Sequence, residues 1–124
     1  MTMKSWDSDY STRGRLWGGG VRNLPDLPEG TRVLELGCGD GKTLSAMPRS
    51  WRIAALDISL PALRLCSRSH PQSDLILANA ERLPFKSESF DDVFAYHVAG
   101  HLFLPGRRAL ASEVSRVLKS GGKL

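Results

Sequence analysis

The chain has 124 residues, 41% of them hydrophobic and 24% charged, which is the balance of one ordinary globular domain with a modest core. No apolar run approaches the ~18 residues of a membrane span, and the first fifteen residues lack the apolar stretch of a secretory leader. The formal net charge of +4 invites a nucleic-acid partner, but Arg107 to Leu124 holds five basic residues against one acid, so the rest of the chain is neutral. That basic segment has no interleaved aromatics to stack on bases, so it reads as a solvated helix face.

Residues 1–30 are polar and aperiodic, with Trp6, Tyr10 and Trp17 near a glycine triplet, and are expected to form an arm or lid. From residue 31 the pattern is regular. RVLEL at 32–36 is short, apolar and partly β-branched, as in a buried strand. Glycines at 37, 39 and 41 follow it, then a helix over 42–47 that Pro48 stops. RIAAL at 52–56 predicts a second strand, ending on Asp57. A helix over 60–68 has Ser59 as its cap and Pro61 in its first turn, where a missing N–H costs nothing. DLILA at 74–78 predicts a third strand and FDDVFAY at 90–96 a fourth, separated by a loop containing Pro84. Leu110, Val114, Val117 and Leu118 mark the buried stripe of a helix over 106–118, closed by Gly121 and Gly122. Lys123 and Leu124 read as the first step of a fifth strand.

Strands alternating with helices imply an α/β fold with a doubly wound, mostly parallel sheet. In such a sheet a ligand lies beyond the carboxyl ends of the strands. Glycine lets the backbone turn sharply and lets a ligand approach it, and the free N–H groups opening the next helix favour an anionic group. A glycine loop alone is a weak signal, since a tight strand-to-helix turn also explains it. Its neighbours add to it. Asp57 ends the second strand, where a carboxylate can accept both hydroxyls of a ribose. Asn79 and Ala80 follow the third strand, where a side-chain oxygen and a backbone N–H can read an adenine edge. Glu35, just before the loop, can accept from a cationic amine or from loop N–H groups.

VLELGCGDG, ALDIS, ANAERLPF, SFDDVFAYHVAGHL and LKSGGKL occur in this order over residues 31–124. Together they resemble the class I S-adenosylmethionine-dependent methyltransferases, of the small-molecule branch with an LPF loop. The early W-D-x-x-Y and Trp-Gly-Gly more loosely resemble the arms of tellurite- and thiopurine-type enzymes. The resemblance implies a Rossmann-like methyltransferase fold, with S-adenosylmethionine as cofactor and S-adenosylhomocysteine as product. It implies that Glu35, Gly37 and Gly39 line the methionine part, with Cys38 and Gly41 beside them in the loop. Asp57 would hold the ribose, Ile58 would pack on adenine, and Asn79 and Ala80 would meet the adenine amino edge. His97, past the fourth strand, would lie near the sulfonium and the acceptor. The family often has Asp at position 79, so the neutral Asn79 implies a modestly weaker grip. A nicotinamide-type Rossmann fingerprint would require glycine at 42, where this chain has Lys42.

Methyl transfer from a sulfonium needs alignment and desolvation more than acid–base help. If the acceptor must lose a proton, His97 is the first candidate base and His101 the second, while His70 sits in a turn before Pro71. Arg13 and Arg15 could contact a carboxylate. No metal-ligand spacing is present. Cys38 and Cys66 are too few for a disulfide framework and are expected to be reduced, in keeping with a cytoplasmic protein. The family usually continues through a fifth strand and an antiparallel pair, so the expectation is a partial domain. Its stripe at 110–118 would then have too little sheet to cover it, favouring self-association. The acceptor is expected to be a small molecule, with nucleic acid only weakly supported. The alternative is a cofactor-binding or interaction module without catalysis.

Overall fold

The computed structural model describes residues 15–18, 24–39, 41–95 and 104–119. Five strands form one sheet: β1 (Arg15–Gly18), β2 (Arg32–Leu36), β3 (Arg52–Asp57), β4 (Asp74–Leu77) and β5 (Asp92–Ala95). Their spatial order is β1-β5-β2-β3-β4, and every pairing is parallel. Among the described residues three helices connect or cover them: α1 (Lys42–Ala46), α2 (Leu60–Ser69) and α3 (Leu104–Val117). Tyr96, the glycines ending the last expected helix, and Lys123-Leu124 lie outside the described residues.

Alternation along the strands sorts the core into two layers. Val33, Ile53, Ala55 and Phe94 face α1 and α2, meeting Leu44, Met47, Leu63 and Cys66. Leu34, Leu36, Ala54, Leu56 and Val93 face the other way, against Leu110, Val114, Val117 and Leu118. The sheet is thus covered on both faces, as its near-continuous apolar strands require. Ser59 caps α2 as expected: its Oγ accepts the N–H of Ala62 at 3.3 Å, with Pro61 in the first turn.

Two features differ from the sequence expectations. Part of the N-terminal arm is a strand, since Arg15–Gly18 pairs in register with Asp92–Ala95 at the sheet edge. Its four residues are too few to show a period, and the pairing is made far away in the chain. Further along, Leu27 is buried and its carbonyl accepts from Trp51 Nε1 at 3.4 Å, so the packed domain includes residues before 31.

The second difference is the stripe on α3. Leu110, Val114 and Val117 are fully buried and Leu118 is 1% exposed, so the open apolar face expected there is not present. The loop between β4 and β5 supplies the cover. Arg116 donates from Nη1 to the carbonyl of Phe85 at 2.6 Å and from Nη2 to that of Leu83 at 2.9 Å. Glu113 Oε1 accepts the N–H of Leu83 at 2.8 Å, and its Oε2 pairs with Arg116 Nε at 2.8 Å. The Arg116 guanidinium, first among the causes, holds the Glu113 carboxyl below the usual carboxylate range. Phe90 completes the seam through a parallel bridge to Leu118. Each buried aliphatic on this stripe contributes about 1.5–3 kcal/mol. Arg116 is therefore a clamp on the LPF loop rather than part of a solvated face, and Lys119 pairs with Asp91 at 3.2 Å instead of serving only the helix end.

Candidate cofactor site

The site is built at the carboxyl ends of β2, β3 and β4. Glu35 is the penultimate residue of β2 and sits in register with Ala55, two residues before Asp57. Partners in register share a face and so do residues two apart, so both carboxylates project from the same face near the same end of the sheet. Glu35 is buried, at 1% exposure.

Beyond β2 the chain makes a tight loop with positive φ at Gly37 (69°), Gly39 (56°) and Gly41 (85°). The three glycines do different things. Gly41 lies against α2: a Cβ there would come within 2.9 Å of Ser69 Oγ and 3.3 Å of Cys66 Cα. A Cβ on Gly39 would meet nothing within 4 Å, so the loop is bare toward open space at that point. That is the close approach to a ligand for which glycine is suited.

The loop's N–H groups are largely used internally. Gly37 and Cys38 both donate to the Leu56 carbonyl, at 2.7 and 3.2 Å, and Gly41 donates to Cys38 at 3.0 Å. Gly39 N donates to Asp57 Oδ2 at 3.0 Å, and Ser59 N donates to Asp57 Oδ1 at 2.9 Å. Helix α1 is only five residues long, so an anion cradle at its start is not part of this structure. Asp57 instead braces the loop from the next strand. A carboxylate offers about four lone-pair sites, so two remain on Asp57 for further donors.

Around Asp57 the surface turns apolar. Ile58 is 74% exposed, and Leu77, directly across from Asp57 in the β3–β4 register, is 56% exposed. Asn79 is exposed and its Oδ1 accepts the N–H of Glu81 at 2.8 Å, while Ala80 is buried in the layer under α3. Leu77 is a residue the sequence reading missed. Nothing local marked it, because its place across from Asp57 follows only from the β3–β4 register. His97 and His101 lie outside the described residues.

Two thiols lie beneath the loop. Cys38 and Cys66 are both free and buried, and Cys66 Sγ contacts the Gly39 carbonyl at 3.5 Å. Burial, then the hydrogen bond with Cys66, then the charges of Asp57 and Glu35 push the Cys38 thiol far above its ordinary range. It is therefore a poor nucleophile.

A profile of the methyltransferase domain family matches residues 34–124. The chain belongs to this methyltransferase family. It is 36% identical over 113 residues to the Arabidopsis thaliana tRNA (carboxymethyluridine(34)-5-O)-methyltransferase, covering 90% of this chain and 27% of that protein. It is 42% identical over 100 residues to the phthiotriol/phenolphthiotriol dimycocerosates methyltransferase 1 of Mycobacterium ulcerans, covering 77% of this chain and 36% of the relative. A crystal structure of a methyltransferase-like protein from Bacillus halodurans superposes with a TM-score of 0.69 at 28% identity, over 77% of this chain and 43% of that one. The chain thus spans about a third of the length of the curated relatives it matches. The methyltransferase's cofactor is S-adenosylmethionine, and the bare Gly39 backbone, the remaining lone pairs of Asp57 and the exposed apolar pair Ile58 and Leu77 fit a nucleoside with an amino-acid tail. Among the described residues no helix is long and apolar enough to cross a membrane.

Proposed function

We propose that the chain carries the cofactor half of an S-adenosylmethionine-dependent enzyme that methylates a small molecule. The observation that carries this reading is Asp57, whose two oxygens each hold one backbone N–H, one of them from the glycine loop. Sugar acid and loop are thereby fixed relative to each other before any ligand arrives, which lowers the ordering cost of binding.

In this reading the cofactor supplies a methyl group already activated on a sulfonium. Glu35 faces the amino-acid end, Gly39 lets that end lie against main chain, Asp57 accepts from the ribose hydroxyls, and Ile58 with Leu77 borders the adenine. Asn79 and Ala80 meet the adenine edge, and Asn79 can serve with the lone pair its Oδ1 has left. His97 follows the end of β5 by two residues in the chain, and we assign it the acceptor side, as a base where the acceptor must lose a proton. The named substrates of the relatives include lipids and a tRNA uridine. The lipid-type substrates are the more frequent among them, which supports a small-molecule acceptor here. The two buried free thiols suit a reducing, cytoplasmic location.

Calorimetric titration with S-adenosylmethionine and S-adenosylhomocysteine tests the cofactor reading, and methyl release with candidate acceptors tests turnover. Binding of both with transfer to a small acceptor is the expected result. Binding without transfer to any acceptor would leave a cofactor-binding module, and binding of neither would remove the reading altogether.

A further inference from the structure

A well-formed cleft lies away from the glycine loop. It has a volume of about 780 Å³ and opens at the other end of the sheet, where Arg32, Arg52 and Asp74 begin β2, β3 and β4. Arg52 and Asp57 are the two ends of β3, so about 16 Å of strand separates this cleft from the cofactor end.

Its charge pattern is unusual for a structural feature. Arg32 and Arg52 are register partners on adjacent strands, and both are exposed. Adjacent strands lie about 4.8 Å apart, and like charges directly opposite destabilise a sheet. Arg49 adds a third guanidinium, whose Nη1 donates to a neutral group, Gln72 Oε1, at 3.2 Å. Of the residues that line the cleft, only Asp74 is acidic. Asp91 gives Oδ2 to the backbone N–H of Arg32 and pairs Oδ1 with Lys119. Asp74 lines the cleft but is in register with Ala54, two residues beyond Arg52, and makes no ion pair with it. Three guanidinium groups against one carboxylate leave the rim clearly positive, and the wall behind them is apolar, from Ile76 to Phe90.

We propose that this basal cleft is a second ligand site, which takes a phosphate-bearing anion. Guanidinium forks match phosphate oxygens two at a time, and more than one fork in reach suits a doubly charged group better than a lone carboxylate. The like-charge pair then has a reason: its cost is relieved when the anion sits between the two arginines. The same chemistry occurs in free polyphosphates and in an RNA backbone. A small polyphosphate here would be an effector, being far from the cofactor, whereas an RNA could anchor here and reach across. The inference stands independently of the methyl-transfer reading.

The test titrates the full chain with inorganic pyrophosphate, a ten-nucleotide single-stranded RNA and a ten-residue polyglutamate peptide, in low-salt buffer free of phosphate. Arg32→Gln, Arg52→Gln and the double variant are compared with the unaltered chain. At least tenfold weaker pyrophosphate or RNA binding is expected in the double variant, with S-adenosylhomocysteine affinity unchanged. In ligand-free buffer the single variants should melt at the same temperature or higher, because the repulsion is gone. RNA binding much tighter than pyrophosphate, with a salt slope that falls by about 2 in the double variant, identifies the RNA source. Equal binding of the two identifies the small anion. The proposal fails if the unaltered chain binds neither, if the double variant binds as well as the parent, or if polyglutamate binds as tightly as the phosphate probes.

Discussion

Replacing Asp57 by alanine should damage stability and cofactor affinity by separable amounts. In the free protein the change strips the acceptors from Gly39 N, at 3.0 Å, and Ser59 N, at 2.9 Å. Hydrogen bonds to a charged group are worth about 1.5–3 kcal/mol each, and the partial exposure of Asp57 argues for the lower end. The pair then accounts for about 3 kcal/mol, which urea denaturation of the ligand-free chain would read. Domains are typically stable by about 5–15 kcal/mol, so the variant should still fold. Cofactor binding carries a further loss, since the ribose hydroxyls would lose a charged acceptor, also worth about 1.5–3 kcal/mol. That corresponds to ~10–150-fold weaker S-adenosylhomocysteine binding by calorimetry. Asp57→Asn divides the effects: its one remaining oxygen can keep one of the two N–H groups, so stability should fall by about half as much while affinity still drops. Lower stability with an unchanged dissociation constant would refute the reasoning. Asp57 would then be a strut for the loop, with the sugar bound elsewhere.

The loop glycines offer a second contrast. Gly41→Ala drives a Cβ against Ser69 and the Cys66 backbone at a φ of 85°, so stability should fall by about 1–3 kcal/mol in a thermal or urea melt. Gly39→Ala meets no atom within 4 Å among the described residues, so it should cost about 1 kcal/mol of stability for its positive φ but at least tenfold in cofactor affinity. Arg116→Ala unties Leu83, Phe85 and Glu113 at once; a loss of about 2 kcal/mol is expected, and Arg116→Lys should recover little of it because an ammonium cannot reproduce the fork. His70 supplies a pH dependence. Burial first, and the charge of Arg49 second, lower its pKa from 6.5, so the unfolded chain takes up a proton more readily than the folded one. Its contribution is therefore complete above about pH 6.5 and is lost as the pH falls from there through the lowered value. Urea midpoints at pH 7 and 5.5 should differ in the parent and converge in His70→Gln.

The parallel sheet and its helices were legible because their cause is local. RVLEL and RIAAL are apolar runs that only a strand buried on both faces explains, and Ser59-Leu60-Pro61 marks a helix start by chemistry confined to three residues. The site was legible in outline for the same reason: glycines after one strand and an acid at the end of the next. What the sequence hid depends on contacts distant in the chain. Nothing in Arg15–Gly18 announces a partner at Asp92–Ala95. Arg116 looked like one more solvated cation because its three partners lie on a loop some thirty residues away and on the helix itself. The three loop glycines looked alike, and only the position of α2 shows that Gly41 is needed for packing and Gly39 for open space. The arginine pair at the base was also invisible, since it needs the β2–β3 register to bring residues 32 and 52 side by side.

The edge strand has a kinetic consequence. Among the described residues β1 is the earliest strand and pairs with β5 alone, whose own other neighbour is β2, so Arg15 must wait for Asp92, 77 positions later, before this pairing can form. Such a non-local, parallel closure is slow to form, and an edge strand of four residues is the easiest to release. Amides of residues 15–18 should exchange with deuterium ahead of those in β2 and β3. During synthesis β1 would leave the ribosome well before β5, so it would be among the last of these strands to find its place.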